Sequence, residues 1–315
     1  MTDIFQQIWD ADQSDAGVQP MLDTGDGDPT VGFVKVNTNL NAADKDLRVL
    51  PEAVIPDSKR HTYDLCHRLF DNYALPERDE EDETPEEREE VHDLVHAMVD
   101  TAPMQVAREY IAQATGASIT RERWYNFWYK YYLDDGFARQ VDGATANFPG
   151  LTDDRIAYLG SKQSADQAQF PESVTISYRW DAADYDREEL RPLTKKIGGF
   201  FVGCSVEGLL ALGSVRAHLG APASKEAVIN GTRYQLKVFR SENKRHVRTF
   251  YPVFVGAVDD GGSSGPGGGG TPVVAGHIRI IAALVNPEGH DPGKETLTLI
   301  NTGTTQETLS GWLAY

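Results

Sequence analysis

Cysteine is nearly absent, with Cys66 and Cys204 far apart in a chain of 315 residues. Neither belongs to a paired motif, so a disulfide framework is not expected and a reducing compartment is permitted. Long apolar runs are missing as well. No stretch approaches the roughly 18 consecutive apolar residues of a membrane-spanning helix, and the opening MTDIFQQIWDADQ has no basic segment followed by an apolar one. The expectation is a soluble chain without an export signal or membrane contact, cytoplasmic by default. Basic residues are outnumbered, 30 Lys and Arg against 48 Asp and Glu, for a formal charge of -18. That charge repels nucleic acid over the molecule as a whole, which argues against DNA as a partner and confines any RNA site to a local basic patch. No cluster of Asp, Glu, His and Cys has metal-ligand spacing, so neither a protein-built metal site nor a cofactor is evident.

The length predicts two folding units, since single cores stop growing near roughly 250 to 300 residues. The break is GGSSGPGGGG at 261–270, a composition that behaves as a flexible coil. A second break is the acidic run ERDEEDETPEEREE at 77–90, whose first half reads as a solvated loop and whose end starts a helix. Thr84 and Glu87 have capping-box spacing, Pro85 suits the first helical position, and Val91, Leu94, Val95 and Met98 recur at helical spacing, predicting a helix over 85–99. A second helix follows from Pro103, with Met104, Ala107, Tyr110, Ile111 and Ala114 on one face and Gly116 as its stop. The aromatic stretch WYNFWYKYYL at 124–133 must bury most of its surface. Val174, Ile176, Tyr178 and Trp180 alternate as one face of a strand. Ser205 caps a helix running toward Gly220. Tyr234, Leu236 and Val238, then Val247 and Phe250, flank the polar SENK as a hairpin. A helical first half followed by a strand-rich second half predicts an α+β fold, without alternating βαβ units.

Several segments then add up. IWDADQ at 8–13, LFDNYALPE at 69–77 and VDTAPMQVAREYIA at 99–112 occur in the order found in the N-terminal half of the EndoU family of poly-U-specific endoribonucleases. KKIGGFFVGCSVEGLLAL at 195–212 resembles the family's catalytic lobe more specifically, through Lys195, Gly198, Phe200, Phe201, Gly203, Ser205 and Glu207, and TFYP at 249–252 resembles its closing strand. The resemblance implies an EndoU-like domain over 1–258, a glycine linker over 259–273, and a separate segment over 274–315.

The family reaction is cleavage of single-stranded RNA at uridylates by the substrate's own 2′-hydroxyl, leaving a 2′,3′-cyclic phosphate. Two histidines suit the roles of general base and general acid, and a lysine suits stabilisation of the phosphorane. Lys195 matches the lysine, with Lys196 beside it. The histidines have no counterpart: Asn126 occupies the place of the second, and the turn bearing the first is absent, as in an internal deletion near 118–125. Asparagine does not titrate. Of the eight histidines, only His246 lies beside an expected RNA surface, the hairpin KVFRSENKRHVR carrying Lys237, Arg240, Lys244, Arg245 and Arg248. Basic groups next to an aromatic are the usual combination for single-stranded RNA. Arg240, Arg248, His246, Tyr251 and Ser205 are therefore the candidate substrate contacts, the last two by resemblance. The chain is expected to keep the endoribonuclease scaffold while being inactive or impaired. The alternative is an RNA-binding pseudoenzyme whose final segment addresses it to a protein partner, since Asn286, Pro287, Gly289, Gly293, Glu295, Leu297, Leu299, Asn301, Gly303, Leu309, Gly311 and Trp312 resemble the start of an immunoglobulin-like lamin-tail domain that ends before its sandwich closes.

Overall fold

The structure, a computed structural model, describes residues 3–14, 17–28, 30–40, 47–69, 84–116, 120–122, 156–184, 188–218, 226–240, 247–258, 278–284 and 296–301. Two compact units divide the chain, Met1–Asp259 and Asp260–Tyr315. In the second, the described residues form one antiparallel hairpin, β10 (Ile278–Leu284) with β11 (Thr296–Asn301). Among the described residues no helix is long and apolar enough to cross a membrane.

The first unit mixes five helices, α1 (Ile4–Gln13), α2 (Asp57–Arg68), α3 (Pro85–Met98), α4 (Ala102–Thr115) and α5 (Val206–His218), with three three-stranded sheets among the described residues. Helix and sheet do combine, but the N-terminal half is not purely helical. It holds a sheet of its own, with β1 (Gln19–Leu22) parallel to β2 (Phe33–Val36) and β2 antiparallel to β3 (Glu52–Val54). Strands of three or four residues are too short for a period of two to stand out. The other two sheets are antiparallel, β4 (Ile156–Ser161), β5 (Ser173–Asp184) and β6 (Glu189–Phe201), then β7 (Glu226–Ile229), β8 (Thr232–Arg240) and β9 (Val247–Ala257).

Local chemistry accounts for the helix ends. Thr84 accepts from the Glu87 amide at 3.2 Å while the Glu87 carboxylate accepts from the Thr84 amide at 2.6 Å, a reciprocal cap that starts α3. Helix α4 stops at Gly116, whose φ of 67° is the left-handed conformation that favours glycine. The aromatic stretch at 124–133 lies outside the described residues.

Two hydrophobic cores meet at the end of β6. Phe200 and Val202 join Val34, Leu50, Tyr158, Val174, Ile176 and Tyr178, between the first sheet and β4 to β6. Phe201 joins the core of the five helices and β7 to β9. Successive strand residues point to opposite faces, so this Phe-Phe pair is the partition between the cores. From Phe201 a chain of tilted rings runs through both elements: Trp9 at 5.9 Å, Tyr234 at 5.4 Å, then Phe254 at 6.2 Å from Tyr234. Such edge and tilted contacts add specificity beyond area burial.

The helical core contains an ionic knot. Lys59 on α2, 7% exposed, reaches Asp12 on α1 at 2.9 Å and Glu207 on α5 at 3.1 Å. Thr62 donates to the other Glu207 oxygen at 2.8 Å. Asp12 also accepts from the Ser205 amide at 2.9 Å and from the Ser205 hydroxyl. A Cβ on Gly208 would stand 2.4 Å from the Asp12 carboxylate, so the approach of α1 to α5 requires glycine there. Charges this buried persist because they are paired and hydrogen-bonded.

Replacing Lys59 by Met should therefore cost about 3 to 5 kcal/mol of unfolding free energy, because two buried carboxylates lose their cation. Arg60→Ala, which removes a 2.7 Å pair with Asp57 on the exposed side of the same helix, should cost under about 1 kcal/mol. Denaturant titration of both variants measures the contrast. The knot also has an alkaline limit. Burial opposes the Lys59 charge, but Asp12 and Glu207 outweigh it and raise the ammonium above its ordinary 10.5. Burial, with Asp12 adding to it, pushes the Tyr63 phenol and the Cys204 thiol well above 10.0 and 9.0. In all three the folded state holds a proton that the unfolded chain releases. Their contribution is complete below about pH 9 and is lost as pH rises from there through and beyond 10.5. Melting temperature against pH should be flat on this account around neutrality and fall on the alkaline side, with a shallower fall in Lys59→Met.

Candidate RNA-binding site

The Lys195 side chain stands on β6 opposite Tyr178 of β5, and it is exposed. Tyr178 is buried and stands in turn opposite Tyr158 of β4, so Lys195 continues a cross-strand row at the rim of the second core. A register shift between Ile176 and Tyr178 sets Lys196 and Ile197 together against Ser177, whose hydroxyl donates to the Lys196 carbonyl. This bulge breaks the alternation immediately after Lys195, a distinction the Lys-Lys sequence does not carry.

The glycines after Lys195 form no turn; β6 continues through them to Phe201. They permit close approach instead. A Cβ on Gly198 would come 2.8 Å from the Tyr178 ring, and one on Gly199 would come 3.0 Å from the Pro252 carbonyl of β9. The backbones of β6 and β9 therefore adjoin at Gly199 and Pro252. At about 3.3 Å per residue, Lys195 lies roughly 13 Å along the strand from that point.

Tyr251, next to Pro252, is half-buried and pairs in register with Lys237 of β8. Its ring is near-parallel to that of Phe239, with centroids 6.1 Å apart and planes at 10°. Phe239 is 54% exposed. Lys237, Phe239 and Tyr251 thus share the outer face of the hairpin, while Leu236, Val238 and Phe250 line its inner face. Sequence reasoning did not single out Phe239; its place two residues beyond Lys237, out of phase with the buried positions, was the available signal. Arg240 ends β8 opposite Val247, and Arg248 is the extra residue of the register shift beside it. His246, Lys244, Arg245 and Asn126 lie outside the described residues.

Ser205 is positioned differently from a base contact. It is 1% exposed, its hydroxyl accepts from the Gly208 amide at 3.1 Å as the cap of α5, and it donates to Asp12. The side chain is occupied inside the knot. Cys204 and Tyr63 beside it keep their protons, so neither is a thiolate or phenolate nucleophile near neutrality.

The surface thus offers an exposed ammonium on β6 and, across the junction with β9, two near-parallel rings with a second ammonium. Such a surface can hold phosphate and stack bases. Proton transfer is another matter: among the described residues no histidine lies on β4 to β9, since His61 and His67 are on α2, His92 and His96 on α3, and His218 at the end of α5.

Comparison with known proteins gives this arrangement its context. Residues 1–140 match the sequence model of the family described as Endoribonuclease XendoU. The poly(U)-specific endoribonuclease-A of Xenopus laevis is 22% identical, over 81% of this chain and 94% of its own length. The poly(U)-specific endoribonuclease of Xenopus tropicalis is also 22% identical, over 81% of this chain and 93% of its own. A solved structure of XendoU, described as a splicing independent snoRNA processing endoribonuclease, superposes with a TM-score of 0.55 at 19% identity, covering 80% of this chain and 96% of that one. Residues 1–140 thus carry the sequence pattern of the Endoribonuclease XendoU family, and the XendoU fold extends over four fifths of the chain.

Proposed function

We propose that this chain is an EndoU-type endoribonuclease scaffold that binds single-stranded, uridine-containing RNA but lacks the proton-transfer pair of its relatives. The observation that carries the binding half is the outer face of β8 and β9, where Phe239 and Tyr251 run near-parallel beside Lys237 in a protein of net charge -18. Bases stack on the rings while Lys195, Lys237, Arg240 and Arg248 answer the phosphates. The names of the Xenopus relatives, poly(U)-specific endoribonucleases, support uridylate as the preferred base.

The catalytic half follows from what the sequence contains. Between His96 and His218 there is no histidine. Cleavage to a 2′,3′-cyclic phosphate requires removal of the 2′ proton and protonation of the departing 5′ oxygen, and each step is worth typically 10² to 10⁴ in rate. Lys195 stabilises charge on the phosphorane only if that charge develops, so alone it accomplishes little. The second reading, an RNA-binding pseudoenzyme whose final segment is a lamin-tail-like module for a protein partner, draws on the β10 and β11 hairpin, which among the described residues has both edges open to strand addition.

Binding to a fluorescent uridine-rich oligoribonucleotide should weaken steeply as salt rises, because neutralised phosphates release counterions. Arg240→Glu combined with Arg248→Glu should abolish it; unchanged affinity would remove the hairpin from the site. Phe239→Ala and Tyr251→Ala should each weaken binding by about 1 to 3 kcal/mol, with little change in its dependence on salt. A chain ending at Asp259 should bind RNA as the full chain does.

A fluorogenic uridine-containing RNA should be cleaved at a rate near background, and Lys195→Ala should leave that rate almost unchanged. Rapid cleavage 3′ of uridine that depends on Lys195 would sink the catalytic half of the proposal and direct attention to His246.

A further inference from the structure

We propose that the RNA-binding face continues along β8 past Lys237, where Gln235 and Arg233 take a further nucleotide and an RNA phosphate displaces the Glu226 carboxylate from Arg233. The inference rests on the reading of Phe239 and Tyr251 as a stacking surface and adds a subsite to it. Tyr234 and Leu236 are buried toward the helical core, so Arg233, Gln235, Lys237 and Phe239 stand on the opposite, outer side of the strand. At about 3.3 Å per residue, successive outer positions lie roughly 6.6 Å apart and the row from Phe239 to Arg233 runs roughly 20 Å. Each step is of the order of one nucleotide in an extended single strand, so a strand laid along β8 meets one outer side chain per nucleotide.

Gln235 pairs in register with Glu226 of β7 on one side and Val253 of β9 on the other. Its carboxamide is donor and acceptor at once, and so meets the N3–H and carbonyl of a uracil edge, while Val253, 37% exposed, offers an apolar floor beside it. Arg233 ends the row. Its Nη1 lies 3.7 Å from Glu226, beyond hydrogen-bond range, with both side chains more than a third exposed. A pair this loose and this exposed contributes little. The guanidinium also reaches over β9, where a Cβ on Gly256 would stand 3.7 Å from Nη2. Its Nε has no hydrogen-bond partner among the described residues. Arg233 therefore keeps donors for a phosphate, which a guanidinium fork holds in bidentate fashion and more strongly than a distant carboxylate. Carboxylate and phosphate compete for one cation, so Glu226 restrains binding at this end of the row.

Affinity of the full chain for a fluorescent octauridylate, measured as salt is varied, tests the subsite. Glu226→Gln should tighten binding about two- to fivefold, the release of one surface pair, a gain that damage to the fold does not produce. The gain should vanish when Arg233→Gln is combined with it. Arg233→Gln alone should weaken binding about tenfold and lower the salt slope by about 0.7, the share of one phosphate on a single strand. Gln235→Ala should weaken binding about two- to tenfold with the slope unchanged. Glu52→Gln, which frees Lys35 on the first sheet, should leave affinity as it is. Melting curves matched to the parent establish that each variant is folded. Affinity unchanged in Glu226→Gln and Arg233→Gln, while Phe239→Ala and Tyr251→Ala still weaken binding, would overturn the subsite and leave the ring surface standing. A gain in Glu226→Gln that persists without Arg233 would overturn the displacement. Affinity indifferent to the rings as well would overturn both readings.

Discussion

The ammonium of Lys59, buried between the carboxylates of Asp12 and Glu207, joins three helices whose sequence positions are far apart. Its energetic logic is one of obligation. Desolvating three charges is expensive, and only their mutual pairing, with Thr62 and Ser205 satisfying the remaining oxygens, makes the arrangement stable. Once formed, it sets how α1 lies against α5, which in turn sets the turn from Gly203 to Ser205 and the end of β6. Gln13 adds to this by donating to the Gly203 carbonyl at 2.7 Å. The end of β6, the strand that carries Lys195, is thus tied to a buried contact in the helical core.

The segments IWDADQ and GCSVEG carry this arrangement. Ile8 and Trp9 fill the core, Asp12 takes the ammonium and caps the start of α5 through Ser205, and Gln13 holds the Gly203 turn. These residues maintain a scaffold. Scaffold and proton transfer are physically separable, because the knot lies in the helical core whereas acid-base groups would stand at the surface beside RNA. A chain can lose the second while keeping the first, and the proposed function rests on that separation.

Local features were legible in the sequence because they rest on neighbours. The cap at Thr84 and Glu87, the stop at Gly116, the helix after Ser205 and the hairpin of β8 and β9 each follow from residues within a few positions of one another. Features that rest on distant partners were not legible. Nothing in the local sequence says that Ser205 meets Asp12, so its hydroxyl could be read as a base contact although it is buried. The bulge that separates Lys195 from Lys196 arises from pairing with Ser177, and the near-parallel Phe239 and Tyr251 come from two strands whose register only the folded hairpin defines. Strands β1 to β3 escaped notice because three or four residues carry no measurable period.

The most direct test combines location and chemistry in one tube. Hydrogen exchange of the full chain is followed by mass spectrometry with and without a uridine-rich single-stranded oligoribonucleotide, and the RNA is recovered and sized from the same sample. The account predicts slowed exchange in β6 around Lys195 and in β8 and β9, together with RNA of unchanged length. Slowed exchange confined to other elements, or RNA recovered as fragments with cyclic phosphate ends, would contradict it.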